Sequence, residues 1–413
     1  MNFKNFFIFL IIIFALFVRF YNFTERVTFG PEQAISLITS GKVLKSKFTL
    51  LGQENVQRIT SKGHIIFSGV LFTYSLIPLQ TIFNFDPIPI TAYFAALSLL
   101  SGAVLFIVVK KLFNFRLALL STVLFLFNDY MIYHSMFIWI LNYLPLIGIL
   151  SFYLIVDFKN DKRLFNVFLL GFLCGVGFGL EYLYLLTAAV VYLFLIYYSR
   201  EKTKTSLIFV AGGTLGNLPM LIFDLRHDFY HLRSLWQYLV DTLMNPGQSA
   251  ITYYHFLHFW PIFALLGGLL LLFVWKRNKI AAVIFVAIYL FVNLSSGLVS
   301  FKNPIGMPKG LSTTEVLKAS EFINQDKPEE FNVISLLDFD TRGHILRYPL
   351  EYLYGVKPMG VEEYKEAQSL YVISEKSYDF DKAGVWEINI FEPKEVGVLN
   401  NIDEDYAVYK LTK

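Results

Sequence analysis

The chain is short of charge and of cysteine. Only 16% of its 413 residues are charged, against about 25% in an ordinary soluble domain. Cys174 is the single cysteine, so no disulfide forms within the chain and no cysteine-based metal site exists. There is no glycine-rich phosphate loop, no HExxH or CxxC motif, no internal repeat and no low-complexity tract. What is plentiful is apolar: 55% hydrophobic residues, including 43 Phe and 25 Tyr, with a mean hydropathy of +0.53. This is the composition of a polytopic membrane protein. The formal net charge of +3 decides little, and no nucleic-acid partner is expected. The placement of the basic residues matters more.

Apolar runs long enough to span fall at about 5–22, 64–84, 88–110, 115–130, 137–157, 163–180, 182–199, 205–223, 254–275 and 279–298. No small-residue cleavage site follows the first run, so it reads as a retained anchor. Basic clusters at Lys4, Lys110/Lys111/Arg116, Lys159/Lys162/Arg163, Arg200/Lys202/Lys204 and Lys276/Arg277/Lys279 should all be cytoplasmic. They can be so together only if one run does not cross. The segment 64–84, interrupted by Ser68, Gly69, Thr73, Ser75, Pro78 and Gln80, is the one expected to lie in the interface or re-enter. The alternative is that it crosses and one cluster breaks the rule. About nine spans remain, with the N-terminus inside and the C-terminus outside. Segments 23–87, 129–138, 224–253 and everything after about 299 then share the outer face of a cell membrane.

The character changes near Lys302, which divides a transmembrane domain, 1–300, from an extracytoplasmic α/β domain, 301–413. In the latter the pattern predicts helices over Glu315–Asn324 and Thr341–Tyr354, and strands over Phe331–Leu337, Ser369–Ser374, Val385–Phe391 and Tyr406–Leu411.

Ionisable residues at span ends are functional candidates by default. Glu32 follows Gly30-Pro31 just beyond the first span. A carboxylate there suits general-base work on an acceptor beside a lipid-linked donor, although Pro31 and Glu32 also suit a plain helix N-terminus. Asp129 ends a span, His134 sits in the loop after it, and Glu181 lies in a Gly-Leu-Glu-Tyr turn. Phe223-Asp224-Leu225-Arg226-His227-Asp228-Phe229 packs four ionisable residues into five positions after another span. Arg226 can hold a phosphate with its planar fork, or else snorkel and pair with Asp224. Arg58, Lys62 and His64 close the first outer loop, which also carries Lys42, Lys45 and Lys47. These suit a phosphate-bearing lipid or anionic headgroups of membrane lipid generally.

In their order these residues resemble the membrane glycosyltransferases of GT-C fold. The likeness is to the bacterial branch of glycosyltransferase family 39, related to protein O-mannosyltransferases and aminoarabinose transferases. It is carried by Arg19-Phe20-Tyr21-Asn22, by Phe29-Gly30-Pro31-Glu32-Gln33-Ala34, and by Tyr133-His134-Ser135 through Trp139, Asn142 and Pro145. It continues in the Phe223–Phe229 string and, in the tail, in Asp340-Thr341-Arg342, Arg347-Tyr348, Tyr364 and Leu370-Tyr371-Val372-Ile373. The resemblance implies a mainly α polytopic GT-C-like protein with interfacial helices in its first outer loop. It implies a polyprenyl-phosphate-linked sugar as donor, transferred with inversion to a hydroxyl of a glycan, lipid or protein acceptor. Glu32 would be the catalytic base. Arg226, with His227 and Arg58, would hold the leaving phosphate. Asp129, His134, Trp139, Asn142, Glu181, Asp224 and His64 would support the site or the substrate. Asp129 is the candidate for the second acidic residue that some relatives use. Two departures stand out: Glu32 where many members have Asp, and Met136 where many have Arg.

Two other readings compete. One is a non-catalytic GT-C-fold protein that binds a lipid-linked glycan. The other is a membrane transporter, against which the span-end charges and the absence of repeats argue. No dedicated metal site is expected, although a divalent ion shared with Glu32 is possible chemistry.

Overall fold

The computed structural model describes residues 3–45, 48–244, 252–306, 308, 310–382 and 384–413. The side chains of residues 55–58 lie outside the described residues, and with them those of the predicted Arg58 and, at a masked position, Lys47. The helices are α1 (Phe3–Phe20), α2 (Phe23–Arg26), α3 (Pro31–Lys45), α4 (Val70–Ile82), α5 (Pro87–Leu112), α6 (Phe115–Leu126), α7 (Asp129–His134), α8 (Leu144–Asp161) and α9 (Leu164–Leu180). They continue with α10 (Tyr184–Tyr198), α11 (Lys202–Gly216), α12 (Leu218–Arg226), α13 (Tyr230–Met244), α14 (Trp260–Arg277), α15 (Lys279–Leu294), α16 (Thr313–Gln325), α17 (His344–Tyr352) and α18 (Trp386–Phe391). The strands are β1 (Leu51–Ile59), β2 (Ile65–Gly69), β3 (Phe331–Ser335), β4 (Ser369–Glu375), β5 (Glu395–Asn401) and β6 (Tyr406–Thr412).

The apolar runs become α1, α5, α6, α8, α9, α10, α11 with α12, α14 and α15, as a polytopic helical membrane protein requires. Among the described residues three helical stretches, Pro87–Leu112, Ile140–Asp161 and Tyr253–Arg277, are long and apolar enough to cross alone. Outward faces carry bare apolar side chains such as Ile12, Leu186, Val190 and Ile284, the reverse of a water-soluble surface. The run 205–223 is not one straight helix. It bends by 82° between α11 and α12, where Asn217 leaves helical geometry and Pro219 opens the next helix.

Close backbone contact holds two of these helices together. Gly171 and Gly175 of α9 face Gly212 and Gly216 of α11. A Cβ on Gly171 would stand 2.1 Å from the Phe209 carbonyl oxygen, and one on Gly212 would stand 2.2 Å from that of Phe168. In lipid, where apolar surface gains nothing by leaving solvent, such small-residue seams let backbones pack. Two buried arginines serve helix C-termini. Arg19 donates to the Leu126 carbonyl at the end of α6, and Arg26 donates to the Val18 and Tyr21 carbonyls at the end of α1. Cations there meet the negative ends of the helix dipoles.

The segment 64–84 is a strand followed by a short helix rather than one apolar element. β2 pairs antiparallel with β1, Leu51 opposite Gly69, a hairpin the sequence reading did not expect. α4, with 13 residues, reaches about 20 Å at 1.5 Å per residue, short of the ~30 Å hydrocarbon core. Gln80, read as a polar interruption, is fully buried. It donates to the Leu37 carbonyl and accepts from Ser40, tying α4 to α3.

The tail sheet has the order β3-β4-β6-β5, with β3 and β4 parallel and the other pairs antiparallel. α16 begins with a capping box, Ser312 with Glu315. The stretch Val385–Phe391, expected as a strand, is helix α18, and β5, which carries few buried side chains, was not expected. β5 is an edge strand, so it lacks the alternating apolar pattern that marks a half-buried strand. The core is continuous across residue 301: Phe29, Leu37 and Leu79 share one cluster with Val316, Ile345 and Tyr348.

Candidate functional site

Glu32 is set by three independent restraints. Pro31 opens α3, and Gln33 turns back to accept a hydrogen bond from the Gly30 amide at 2.8 Å. Thr313 donates to the Val27 carbonyl through both its amide and its hydroxyl, and Phe29 packs on Tyr348. Ser36 joins the Glu32 carbonyl to Gln53 of β1. With its backbone fixed, Glu32 itself is exposed. Its carboxylate is felt by Tyr133, whose hydroxyl is pushed up first by burial and then by Glu32. The 23–87 and 129–138 loops therefore meet at this carboxylate.

From Tyr133 a chain of ring contacts runs inward. His134 is buried and stacks on Trp139 at 5.0 Å, and Trp139 sets its edge against Tyr254 at 5.1 Å. Neither imidazole nitrogen of His134 has a hydrogen-bond partner among the described residues. Burial lowers its pKa to about 3, so the ring is neutral. Asn142 donates to the Phe137 carbonyl and shapes the same loop. Asp129 opens α7, where its Oδ1 accepts from the Tyr130 amide, a local helix-start contact. Glu181 is buried against His255, Oε2 to Nδ1 at 2.9 Å, and its Oε1 accepts from the Leu183 amide. Next to it, the Tyr182 hydroxyl and the Phe67 carbonyl both lie 3.0 Å from Nε2 of His231. Since a carbonyl only accepts, that nitrogen carries the proton. Desolvation lowers the His231 pKa, opposed by the Phe67 carbonyl and Asp224.

The Phe223–Phe229 string ends α12 and breaks the chain before α13. Asp228 and Phe229 adopt left-handed φ of 51° and 56°. Asp224 is buried and its Oδ1 accepts from the amides of His231 and Leu232, capping α13. The alternative reading, an Asp224–Arg226 pair, is not formed among the described residues, because the carboxylate is committed to the next helix. His227 stacks on Phe223 at 4.1 Å and donates from Nδ1 to the Phe223 carbonyl. That leaves Arg226 exposed at the end of α12. His64 lies on Tyr230 and within 3.4 Å of the Ser234 hydroxyl. Lys45 sits over the Tyr352 ring, 3.8 Å from Glu351.

The hairpin β1–β2 is the link between the two halves of the candidate site. It meets α3 through Gln53, and meets α13 through Phe67, His64 and the Ser61 to Asp241 hydrogen bonds. Residues that sequence reasoning passed over complete the picture: Tyr182, His231, Tyr253, Tyr254 and His255. For the last three the signal was the dense Tyr253-Tyr254-His255-Phe256-Leu257-His258 run, read only as the start of a span. Among the described residues no group of three or more His, Cys, Asp or Glu is placed to hold a metal ion.

No family profile matches the chain, and no curated protein sequence does. Solved structures do. ArnT from Cupriavidus metallidurans in the apo state superposes with a TM-score of 0.55 at 12% identity, covering 98% of this chain and 97% of that one. The same ArnT bound to undecaprenyl phosphate gives a TM-score of 0.50 with the same identity and coverage. The chain has the GT-C fold. A looser likeness, TM-score 0.47 at 10% identity, is to the Archaeoglobus fulgidus oligosaccharyltransferase complex with zinc and sulfate, over 89% of this chain and 67% of that one. In this chain the 129–139 loop meets the 253–260 segment through His134, Trp139, Tyr253 and Tyr254, and its Tyr133 senses Glu32 of the 23–87 loop.

Proposed function

We propose that the chain is a hexosyl- or pentosyltransferase of the cell membrane that moves a sugar from a polyprenyl-phosphate donor to an acceptor hydroxyl. The reaction takes place at the outer face, with the N-terminus cytoplasmic and the tail outside. The acceptor oxygen attacks the anomeric carbon and forms the new glycosidic bond while Glu32 takes its proton. The bond from that carbon to the phosphate oxygen breaks, and the polyprenyl phosphate leaves with the electron pair. Attack opposite the leaving group inverts the anomeric centre. Arg226 neutralises the charge that grows on the phosphate, with His227 fixing its turn and Arg58 as a further candidate.

The observation that carries the reading is an exposed carboxylate, fixed from three sides, at the junction of the outer loops of a GT-C fold. Its support includes the fold likeness to ArnT, one structure of which holds undecaprenyl phosphate. The experiment is transfer of sugar from a polyprenyl-phosphate donor in membranes. Glu32→Gln should lose about 10²- to 10⁴-fold in rate, the usual contribution of a general base. Arg226→Ala should lose about 10²-fold, as for loss of one charge-stabilising donor. Full activity in both variants would discard the site.

A further inference from the structure

Between α6, α14 and α15 lies a lateral groove of about 530 Å³. We propose that it seats the isoprenoid chain of the lipid carrier. The inference rests on the reading above that the donor is a polyprenyl phosphate. Three observations carry it.

The first is depth. On α14 the lining begins at Trp260 and ends at Leu271, a rise of about 16 Å at 1.5 Å per residue. That is about half of the ~30 Å hydrocarbon core, the depth of one leaflet. Gly267 lines the wall, where a Cβ would come within 2.9 Å of Leu124.

The second is polarity. Asn128, Trp260 and Asn293 stand together at one end of the groove, and Tyr289, about one turn deeper, is tied to backbone. Trp260 Nε1 donates to Asn128 Oδ1 at 2.7 Å, Asn128 donates to Asn293, and the Tyr289 hydroxyl donates to the Leu124 carbonyl. The rest of the lining is apolar. A lipid tail is already in an apolar medium, so it gains nothing from leaving water here. A concave wall holds it by packing contacts, and these select for chain shape.

The third is continuity. The polar lip opens onto the candidate site: Asn128 precedes Asp129, Trp260 meets Tyr130 at 5.7 Å, Tyr130 meets Tyr253 at 4.1 Å, and Tyr253 meets His134 at 5.9 Å. Tyr133, the residue before His134, feels the Glu32 carboxylate. A chain lying in this groove would have its head at the rim of that wall.

The test is binding of undecaprenyl phosphate and of its short analogue geranyl phosphate to the full chain in phosphatidylglycerol nanodiscs. Ile288→Trp and Val292→Trp fill the groove from side chains already exposed. Val283→Trp adds the same bulk on an exposed part of α15 outside it. The expected result is binding of undecaprenyl phosphate about tenfold weaker in the first two variants, unchanged binding in the third, and geranyl phosphate unaffected throughout. Equal loss in all three variants, equal loss for long and short chains, or no binding of undecaprenyl phosphate by the wild type would overturn the proposal. So would a wild-type affinity that falls in proportion to added phosphatidylglycerol, which would make the groove a general lipid seat. Groove-dependent binding without any sugar transfer would leave the groove standing and remove the transferase reading instead.

Discussion

His134 is buried and Asp338 is half-buried, and the neighbours of each decide what it does. His134 has no hydrogen-bond partner for either ring nitrogen among the described residues and stacks between aromatic rings. An apolar ring of similar shape should therefore fit, since burying a polar group without partners costs free energy. His134→Phe is expected to hold or raise thermal stability in detergent. A loss above about 1 kcal/mol would mean that the imidazole has a bonded partner. Asp338, in the tail, has its pKa raised to about 6 from 3.8, chiefly by burial and against hydrogen bonds from the Asp340 amide and Ser335. The folded state thus keeps a proton that the unfolded chain has released. Stability should fall as pH rises from about 4 to about 6, then level off. Asp338→Asn should remove that fall, matching the wild type at low pH and exceeding it near neutrality. Melting curves of both proteins across this range check the sign.

The seam of α9 on α11 is a matter of elements. Its glycines bring backbone against backbone, so a side chain has nowhere to go. Gly175→Leu, whose Cβ alone would lie 2.2 Å from the Gly213 carbonyl oxygen, should cost about 1–3 kcal/mol or more through overpacking. The measurement is the melting temperature of the purified protein. Gly63→Ala makes a useful contrast, because nothing lies within 4 Å of its Cβ position and only its φ of +77° opposes the change. α12 shows the same dependence on context. Asn217 and Pro219 turn it away from α11, and Asp224 then caps the start of α13. Asp224 of the Phe223–Phe229 string is thus spent on capping α13, and the exposed guanidinium of Arg226 is the cation the string leaves at the surface.

At the scale of the whole molecule the tail and the helical bundle are one packed body. Tyr352 lies on Gly41 of α3 and donates to the Ile38 carbonyl, and Tyr348 donates to the Phe85 carbonyl. The tail therefore holds the helix that carries Glu32. Tyr348→Ala should cost about 3–5 kcal/mol, the range for deleting a large buried aromatic side chain. A chain ending at Phe301 should expose Phe29, Leu37 and Ile38 and lose sugar transfer while still inserting in the membrane. A truncated chain with full transfer activity would show that the tail does not position Glu32.

Composition and hydropathy alone fixed the class of this protein. Runs of apolar residues with few charges must lie in lipid and, there, must be helical, because no water is present to satisfy a backbone amide. The order of Glu32, His134, Glu181 and Arg226 at the ends of those runs was equally legible. The tertiary structure decided which of them face one another. Glu181 was visible as a span-end charge, but its pairing with His255 depends on a segment 74 residues away. Asp224 looked like a partner for Arg226 until the fold placed the amides of α13 against it. The β1–β2 hairpin, the 82° bend and the clamp of α17 on α3 are long-range or cooperative outcomes. Pattern in a sequence reports which face of an element is apolar, and only packing reports what that face meets.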